Sequence, residues 1–286
     1  MKSKLQQIAQ KQIDNIRVVR RIGSNNKTTA TNNDAFVTDK RVDRMFHNLS
    51  SIYAHCTQLT DSILPITGRG SASAAIRQLE SFLSSHPADA ALLIFKLNKQ
   101  IMSLGSELTA YRLLNETRID LEPMDIGLYS MVRNVASGFF AELNENSNYI
   151  DIDNSYVKAH FDFQTIEVAL YYLIENAVKY VLPKSKIGVA FESTMEWEIV
   201  RFHMTSLYID VNEVDKIFEE GYSGVESQRG NLCGKGLGMT QAKILIELNG
   251  GNLTITAGKI KKSRRNNLRY ADNTVIIKLP KAVDDD

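Results

Sequence analysis

A glycine-rich turn precedes a long amphipathic helix in the segment GKGLGMTQAKILIELNGG, residues 234–251. Gly234, Gly236 and Gly238 can adopt backbone angles closed to other residues and let a ligand approach the main chain. The helix that follows directs unpaired amides and the positive end of its dipole at this turn, which suits a phosphate. Such a turn is more often structural than nucleotide-binding, so the assignment needs a second element. The apolar face predicted for this helix, which Gly250–Gly251 ends, consists of Leu237, Ala242, Leu245, Ile246 and Leu248.

A second helix, ALYYLIENAVKYV over residues 169–181, carries side chains suited to a nucleotide. Helical periodicity places Asn176, Lys179 and Tyr180 beside an apolar stripe. The asparagine oxygen can hold magnesium, the ammonium can neutralise phosphate charge, and the ring can cover a base. An ordinary half-buried helix with a solvated polar edge would give the same pattern. The stripe itself comprises Leu170, Leu173, Ile174, Ala177 and Val178.

The two elements together, in this order and separation, resemble the ATP-binding domain of sensor histidine kinases, whose superfamily includes gyrase, mismatch-repair and heat-shock-90-type ATPases. Those kinases carry an asparagine box N-L-x-x-N-A-x-K-Y, which is similar to Y-L-I-E-N-A-V-K-Y at residues 172–180. The resemblance implies that Asn176 is the magnesium ligand, Lys179 a phosphate contact and Tyr180 a neighbour of adenine.

Two further boxes extend the resemblance. Residues 217–220, I-F-E-E, resemble the I-F-E-P box that precedes the family's ATP lid, and residues 234–238 resemble its glycine box. The lid would then be Glu220 to Cys233, whose glycines and small polar residues are typical of a loop that closes over nucleotide. Arg229 in this lid is either a phosphate contact or a solvated arginine. The glycine box implies nucleotide contacts along Gly234, Lys235, Gly236, Leu237 and Gly238.

One motif of the family is missing. The family expects D-x-G-x-G with its aspartate at Met204 and its glycines at Ser206 and Tyr208, and this chain reads M-T-S-L-Y. In the family the aspartate accepts a hydrogen bond from the adenine amino group, whereas methionine offers only dispersion contact. Losing a hydrogen bond to a charged group costs about 1.5 to 3 kcal/mol, roughly ten- to a hundredfold in affinity. We therefore expect ATP binding to be weak.

The strand predicted from Glu196 to Met204 places Val200, Phe202 and Met204 on one face, so we expect Met204 to point into the domain. Two alternatives remain open for the pocket. Either Thr205 or Ser206 replaces the missing acceptor, through its hydroxyl or a water, or Tyr208 fills the adenine space.

Fast ATP hydrolysis is not expected. The ATPases of the superfamily place a glutamate base four residues before the magnesium asparagine, where this chain has Tyr172, a poor base at neutral pH. Glu175 is adjacent to Asn176 but about 100° away around the helix.

Upstream, two segments show the apolar seam of helices packed in a bundle. Apolar residues recur at spacings of mostly three and four from Val42 to Pro65 and again from Ala88 to Asn115. A helical hairpin before a kinase ATP domain resembles the family's dimerisation and phosphotransfer hairpin, which pairs with a second copy into a four-helix bundle. We therefore predict a homodimer. The intervening segment, Gly68 to Pro87, is longer than the usual connection and contains a shorter amphipathic piece.

His47, in F-H-N-L-S-S-I, loosely resembles the family's phosphoacceptor box H-E-L-R-x-P-L. A neutral imidazole is a competent nucleophile for phosphoryl transfer when it is exposed and in line with the γ-phosphate. Asp43, one turn earlier, could orient the ring in place of the family's acid, which is Asn48 here. The alternative is a surface histidine with no chemical role, and His55 is the second candidate acceptor.

Bulk properties fit an intracellular signalling protein. The net charge of +1 predicts no strong attraction to nucleic acid or acidic membranes. No apolar run approaches the roughly eighteen residues that cross a bilayer, so we expect a cytoplasmic protein. Cys56 and Cys233 are too few for a disulfide framework or a metal site. The basic segment Gly258 to Arg269 is more typical of a solvated hairpin tip than of a nucleic-acid patch.

We therefore predict an α+β chain of four parts. These are an N-terminal segment and linker at 1–41, the helical hairpin at 42–118, a two-layer α/β sandwich of the histidine-kinase ATPase type at 119–282, and an acidic tail at 283–286. By resemblance, the protein binds Mg²⁺ and ATP, phosphorylates His47 and passes the phosphoryl group to a response-regulator receiver domain. The alternative is a non-catalytic phosphotransfer or interaction protein with weakened or lost ATP binding.

Overall fold

Helices come first in the described part of the chain, and a mixture of helices and strands follows from residue 123 onwards. The computed structural model describes residues 46–59, 72–115, 120–234, 236–265 and 267–282. The predicted N-terminal segment, the acidic tail and Lys235 lie outside the described residues. The chain divides into two units, 1–48 and 49–286, and the fold set out below is that of the second.

The N-terminal part is helical. Helix α1 covers residues 46–59, α2 is Ala72–Ser85 and α3 is Pro87–Asn115. Pro87 occupies the first position of α3, where its missing N–H costs no hydrogen bond. The predicted second helix is confirmed almost residue for residue, and the amphipathic piece between the two predicted helices is α2.

A mixed segment follows. It comprises β1 (Pro123–Gly127), α4 (Leu128–Ser137), α5 (Phe140–Glu145), β2 (Tyr149–Ile152), β3 (Lys158–Asp162) and α6 (Phe163–Tyr180). The Asp162 side chain caps α6 by accepting a 2.8 Å hydrogen bond from the Thr165 amide. Strands β1 and β3 pair antiparallel in a small two-stranded sheet.

The C-terminal half builds the main sheet. Its elements are β4 (Lys186–Ser193), β5 (Trp197–Leu207), two 3₁₀ turns (Val211–Glu213 and Lys216–Phe218), α7 (Val225–Arg229), α8 (Gly238–Leu248), β6 (Asn252–Thr256), β7 (Ile260–Arg265) and β8 (Leu268–Pro280). The strand order is β2-β4-β5-β8-β6, with β7 also on β8. Only the β2–β4 pair among these is parallel. The basic segment is thus a β-hairpin, β7–β8.

One face of this sheet is covered by helices and the other is polar. Helices α4, α6 and α8 pack their apolar side chains against β4, β5 and β8 in one continuous core. On the opposite face, Arg201 pairs with Glu192 at 2.8 Å and Thr205 bonds Asp272 at 2.6 Å. The predicted α+β class with a two-layer sandwich is confirmed.

The predicted apolar face of α6 is confirmed and that of α8 is confirmed in part, since Leu237 and Leu248 are not buried. All five stripe residues of α6 are buried, as are Ala242, Leu245 and Ile246 of α8. Leu248 is 41% exposed because it ends the last turn of α8, beyond the sheet.

Helix α3 also buries a side of α6 that the periodicity does not predict to be apolar. Tyr171 and Tyr172 are buried there, and Met102 of α3 belongs to the same core as the sheet. A β-carbon at Gly138 would lie 2.8 Å from the Met102 methyl, so this glycine lets α3 approach the end of α4 closely.

Within the part of the chain that the structure describes, every helix is too short or too polar to traverse a lipid bilayer.

Met102→Ala should destabilise the protein by about 2 to 4 kcal/mol, because it opens a cavity in the core where Met102 of α3 packs against Gly138. Ile76→Ala, on the exposed face of α2, should stay within about 0.5 kcal/mol of the wild type. Urea unfolding followed by circular dichroism measures both. Equal effects of the two substitutions would show that α3 does not pack into this core.

Candidate nucleotide site

Helices α6 and α8 touch where the asparagine and glycine boxes meet. A β-carbon at Gly238 would lie 3.3 Å from Nδ2 of Asn176 and 3.3 Å from Cδ1 of Tyr172. A glycine is therefore what lets α8 begin against α6. This contact brings together the two motifs that stand about sixty residues apart in the sequence.

Asn176 has its amide nitrogen engaged. Nδ2 donates a 2.9 Å hydrogen bond to the Tyr172 carbonyl one turn earlier. The amide oxygen is therefore the atom available to a cation. No group of three or more His, Cys, Asp and Glu side chains within the described ranges could hold a metal. A magnesium ion at Asn176 would thus complete its shell with phosphate oxygens and water, as this ion usually does.

Lys179 lies at the glycine turn. A β-carbon at Gly234 would lie 3.0 Å from its Nζ atom, and the same ammonium lies 5.2 Å from the centroid of the Tyr180 ring. The N-terminus of α8 adds the positive end of a helix dipole at the same turn. The ammonium and the helix end together make a site suited to an anion.

Thr240, in the first turn of α8, was not singled out by the sequence reasoning. Its hydroxyl oxygen is buried and has no hydrogen-bond partner among the described residues. The carbonyl four residues back, which a helical threonine can bond, is that of Gly236, and it accepts the Gly221 amide at 2.9 Å. In the sequence, a threonine two residues after the last glycine of the turn was the signal that could have identified this side chain.

Met204 points into the domain, as predicted. It is 7% exposed and, with Val200 and Phe202, belongs to the apolar core. The two candidate replacements for the missing aspartate lie on opposite faces of β5. Thr205 is on the polar face, whereas the buried Ser206 hydroxyl accepts a 2.9 Å hydrogen bond from Asn273.

Tyr208 is held by polar neighbours. Its hydroxyl donates to Asp210 at 3.3 Å, and the Arg269 guanidinium carbon lies 4.7 Å from its ring centroid. This cation–π contact and the hydrogen bond fix the ring beside β8.

Tyr172 stands where the superfamily has its glutamate base, and the neighbouring Glu175 interacts with Tyr171 and with Lys99 of α3. Burial raises the pKa of Tyr172 above its ordinary value. Burial also raises the pKa of Glu175, although Lys99 of α3 acts in the opposite direction. The Glu175 carboxylate accepts a 3.4 Å hydrogen bond from Tyr171. Slow hydrolysis therefore remains the expectation.

The segment expected to be a lid loop contains a helix. Glu220 to Cys233 includes α7, and Arg229 at its end forms a 3.0 Å ion pair with Glu226 while its side chain stays half exposed. At the lid base, the Gly221 amide bonds the Gly236 carbonyl, and both glycines have positive φ, 81° and 69°.

Glu213 anchors the start of the lid. Its carboxylate accepts hydrogen bonds from the Tyr222 hydroxyl at 2.7 Å, the Val225 amide at 2.8 Å and the Asp210 amide at 3.1 Å. Burial acts to raise the pKa of Glu213, but these hydrogen bonds outweigh it, so the pKa lies below its usual value. Ionised Glu213 stabilises the folded state fully above the pKa that this group has in the unfolded chain. The stabilisation is lost as the pH falls through the lowered pKa of the folded state.

Tyr180 contacts the other end of the lid. Its hydroxyl donates to the Leu232 carbonyl at 3.3 Å, and its ring packs with Leu232 against a small apolar cluster. Burial raises the pKa of Tyr180. The predicted neighbour of adenine is therefore in contact with the lid.

His47 is exposed on α1. His55, the second candidate acceptor, is exposed on the same helix. Asp43 lies outside the described residues.

Comparison with known proteins finds a family that matches the C-terminal part of the chain. Residues 162–283 match the family described as histidine kinase-, DNA gyrase B- and HSP90-like ATPase. The sensor histidine kinase Hik2 of Synechocystis sp. is 33% identical over 92 residues, which cover 30% of this chain and 21% of Hik2. Residues 162–283 therefore form an ATPase domain of the histidine-kinase type, a family that implies nucleotide binding. The match spans about a fifth of the length of Hik2.

One solved structure shares the fold, and a second is similar over part of the chain. Full-length ShkA in complex with AMPPNP has a TM-score of 0.50 at 14% identity, over 86% of this chain and 46% of that chain. The catalytic domain of histidine kinase ThkA has a TM-score of 0.45 at 20% identity, over 57% of this chain and 100% of that chain.

Gly236→Ala should destabilise the lid by about 1 to 3 kcal/mol, because Gly236 needs a positive φ. The added β-carbon would also lie 2.7 Å from the Gly221 Cα and from the Tyr222 nitrogen. Gly234→Ala should be nearly neutral, because its β-carbon meets only the flexible end of Lys179. Hydrogen exchange of residues 221–233 reports the difference, and equal protection in the two variants would contradict this account of the lid base.

Proposed function

We propose that this chain is a histidine-kinase-like signalling protein that binds Mg-ATP, phosphorylates a histidine of its own and passes the phosphoryl group to a response regulator. The observation that carries the proposal is the convergence of Asn176, Lys179 and the glycine turn at the contact between α6 and α8. Each of these groups complements a metal-bound triphosphate: an amide oxygen, an ammonium and unpaired helix amides.

Each part of the nucleotide has a proposed partner. Asn176 holds magnesium, Lys179 and the turn from Gly234 to Gly238, with Lys235 and Leu237, hold the phosphates, and Tyr180 lies beside adenine. The buried Thr240 hydroxyl adds a donor for a phosphate oxygen, which would satisfy an otherwise unpaired group. Arg229 can contact a phosphate only if its ion pair with Glu226 opens.

Calorimetric titration with a nonhydrolysable ATP analogue and magnesium tests the nucleotide site. We expect binding that is weaker than is normal for the family by roughly ten- to a hundredfold, since Met204 lacks the acceptor. Asn176→Ala should remove the magnesium-dependent part of the affinity. Asn144→Ala, an exposed asparagine of α5, should bind like the wild type. Binding that is identical in all three proteins would place the nucleotide elsewhere.

The second proposed step uses the helical part of the chain. On α3, Ile94, Ile101 and Leu108 are exposed at seven-residue spacing, away from the face that covers α6. A second copy of the chain would cover this stripe, as in a four-helix bundle. We therefore propose a homodimer, with α1 and α3 of both copies in the bundle.

His47 is the proposed acceptor. Its neutral imidazole nitrogen attacks the γ-phosphorus, the bond from that phosphorus to the bridging oxygen breaks, and ADP leaves. Magnesium neutralises charge on the phosphate oxygens when it is bound. The phosphoryl group then passes from the imidazole to an aspartate carboxylate of the receiver domain.

The competing function is non-catalytic: an interaction or phosphotransfer protein that kept the fold and lost nucleotide use. Two observations favour it. Met204 is packed in the apolar core where the family has its adenine-binding aspartate, and the lid contacts Tyr180.

Phosphorylation with labelled Mg-ATP separates the two functions. We expect an acid-labile, base-stable label, because a phosphoramidate loses its phosphate once its nitrogen is protonated. His47→Gln should abolish the label while nucleotide binding persists, and His55→Gln should retain it. Label that survives His47→Gln would move the acceptor to another residue. An unlabelled wild type that binds a receiver domain would establish the non-catalytic function.

A further inference from the structure

The lid is fastened to the sheet by a buried carboxylate. Glu226 of α7 is 1% exposed, and its oxygens accept hydrogen bonds from the Arg269 amide at 2.9 Å, the Arg269 Nε at 2.6 Å and Arg229 at 3.0 Å. Arg269 belongs to β8, so this pair joins the lid to the sheet. A buried charge is tolerated because its hydrogen bonds are this complete.

A second buried carboxylate holds the lid from the other side. Glu213 precedes the lid in the chain and binds both the Tyr222 hydroxyl and the Val225 amide. The Val225 amide belongs to the first turn of α7, where an acceptor is favourable. Helix α7 is thus fixed at its start by Glu213 and in its middle by Arg269.

The carboxylates Glu226 and Glu213 fix the position of the last part of the lid, residues 230–232. The turn after α7 packs closely, since a β-carbon at Gly230 would lie 3.0 Å from the Leu268 side chain. The Leu232 amide bonds the Ser227 carbonyl at 2.8 Å, and its carbonyl accepts the Tyr180 hydroxyl. The Leu232 side chain packs in an apolar cluster with Tyr180, Leu182, Leu207, Leu268 and Tyr270.

We propose that the Glu226–Arg269 pair is a latch that holds Leu232 against Tyr180, in the space that a nucleotide base requires, so that nucleotide enters only when the latch opens. The proposal rests on the proposed nucleotide site. It adds a second cause of weak binding to the missing aspartate at Met204. The measured affinity is the intrinsic affinity multiplied by the fraction of molecules with an open lid.

Glu226→Gln is the sharpest change to the latch. The substitution keeps the shape of the side chain but replaces one acceptor oxygen with an NH₂ group, which then faces the donors of Arg269 and Arg229. Because the site is buried, this mismatch weakens lid docking. It also weakens the ion pair of Arg229, a proposed phosphate contact, which Leu232→Ala leaves in place. Leu232→Ala truncates the lid side chain that packs against Tyr180. Glu247→Gln makes the same chemical change as Glu226→Gln, but on the exposed face of α8, and is the matched control.

Two measurements on the full chain test the latch. Titration with a nonhydrolysable ATP analogue and magnesium should show binding roughly ten- to a hundredfold tighter in Glu226→Gln and Leu232→Ala than in the wild type. Glu247→Gln should match the wild type. Hydrogen exchange of residues 225–232 without nucleotide should be faster in Glu226→Gln than in the wild type and the control.

The outcomes separate the latch from the proposed function. Faster exchange with unchanged or weaker nucleotide binding would overturn the latch, because the lid would then not oppose the base. Unchanged exchange would overturn it as well, and in both cases binding by the wild type would leave the proposed function standing. Binding by Glu226→Gln and Leu232→Ala, with none by the wild type or Glu247→Gln, would support both the latch and the proposed function. A lack of binding by all four proteins would overturn the proposed function and, with it, the role of the latch.

Discussion

The close contact between α6 and α8 at Gly238 is the constraint on which the candidate site depends. With no β-carbon at this position, the first turn of α8 reaches the side chains of Tyr172 and Asn176. Lys179, one turn further along α6, then lies at the glycine turn. The sheet behind them supplies a rigid apolar support, so the polar groups that face the turn have little freedom to separate. A β-carbon at Gly238 would require the Asn176 and Tyr172 side chains to shift by a few tenths of an ångström.

In the region proposed for the nucleotide base, buried side chains rather than a close helix contact determine the structure. The family's polar contact is replaced by the buried Met204, and the lid is held down by two buried carboxylates, Glu213 and Glu226. Their loss of hydration is offset by hydrogen bonds that come from the lid itself and from β8. The lid is therefore part of the folded domain, and we propose that nucleotide affinity depends on how easily the lid is released.

The periodicity of the sequence predicted those features of the structure that depend on residues close together in the chain. The periodicity of α6 and α8 and the inward direction of Met204 follow from spacing, since residues at the period of a helix or strand share a face. The approach of the two boxes followed instead from the resemblance to the histidine-kinase ATP domain. The Glu226–Arg269 pair could not be predicted this way, because its members are 43 residues apart. Nor could the burial of Tyr171 and Tyr172, which depends on the packing of α3 across α6. Leu248 was assigned to the buried face by periodicity alone, which does not say where the sheet ends.

The account's central claim is that nucleotide binds at the junction of α6 and α8. Amide correlation spectra of the isotope-labelled protein, recorded during titration with magnesium and a nonhydrolysable ATP analogue, test this residue by residue. The account predicts that the largest shift changes fall on Gly234, Gly236, Gly238 and Thr240 and on the Asn176 side-chain amide, and that smaller ones fall on the lid. Shift changes confined to residues away from this junction would contradict it.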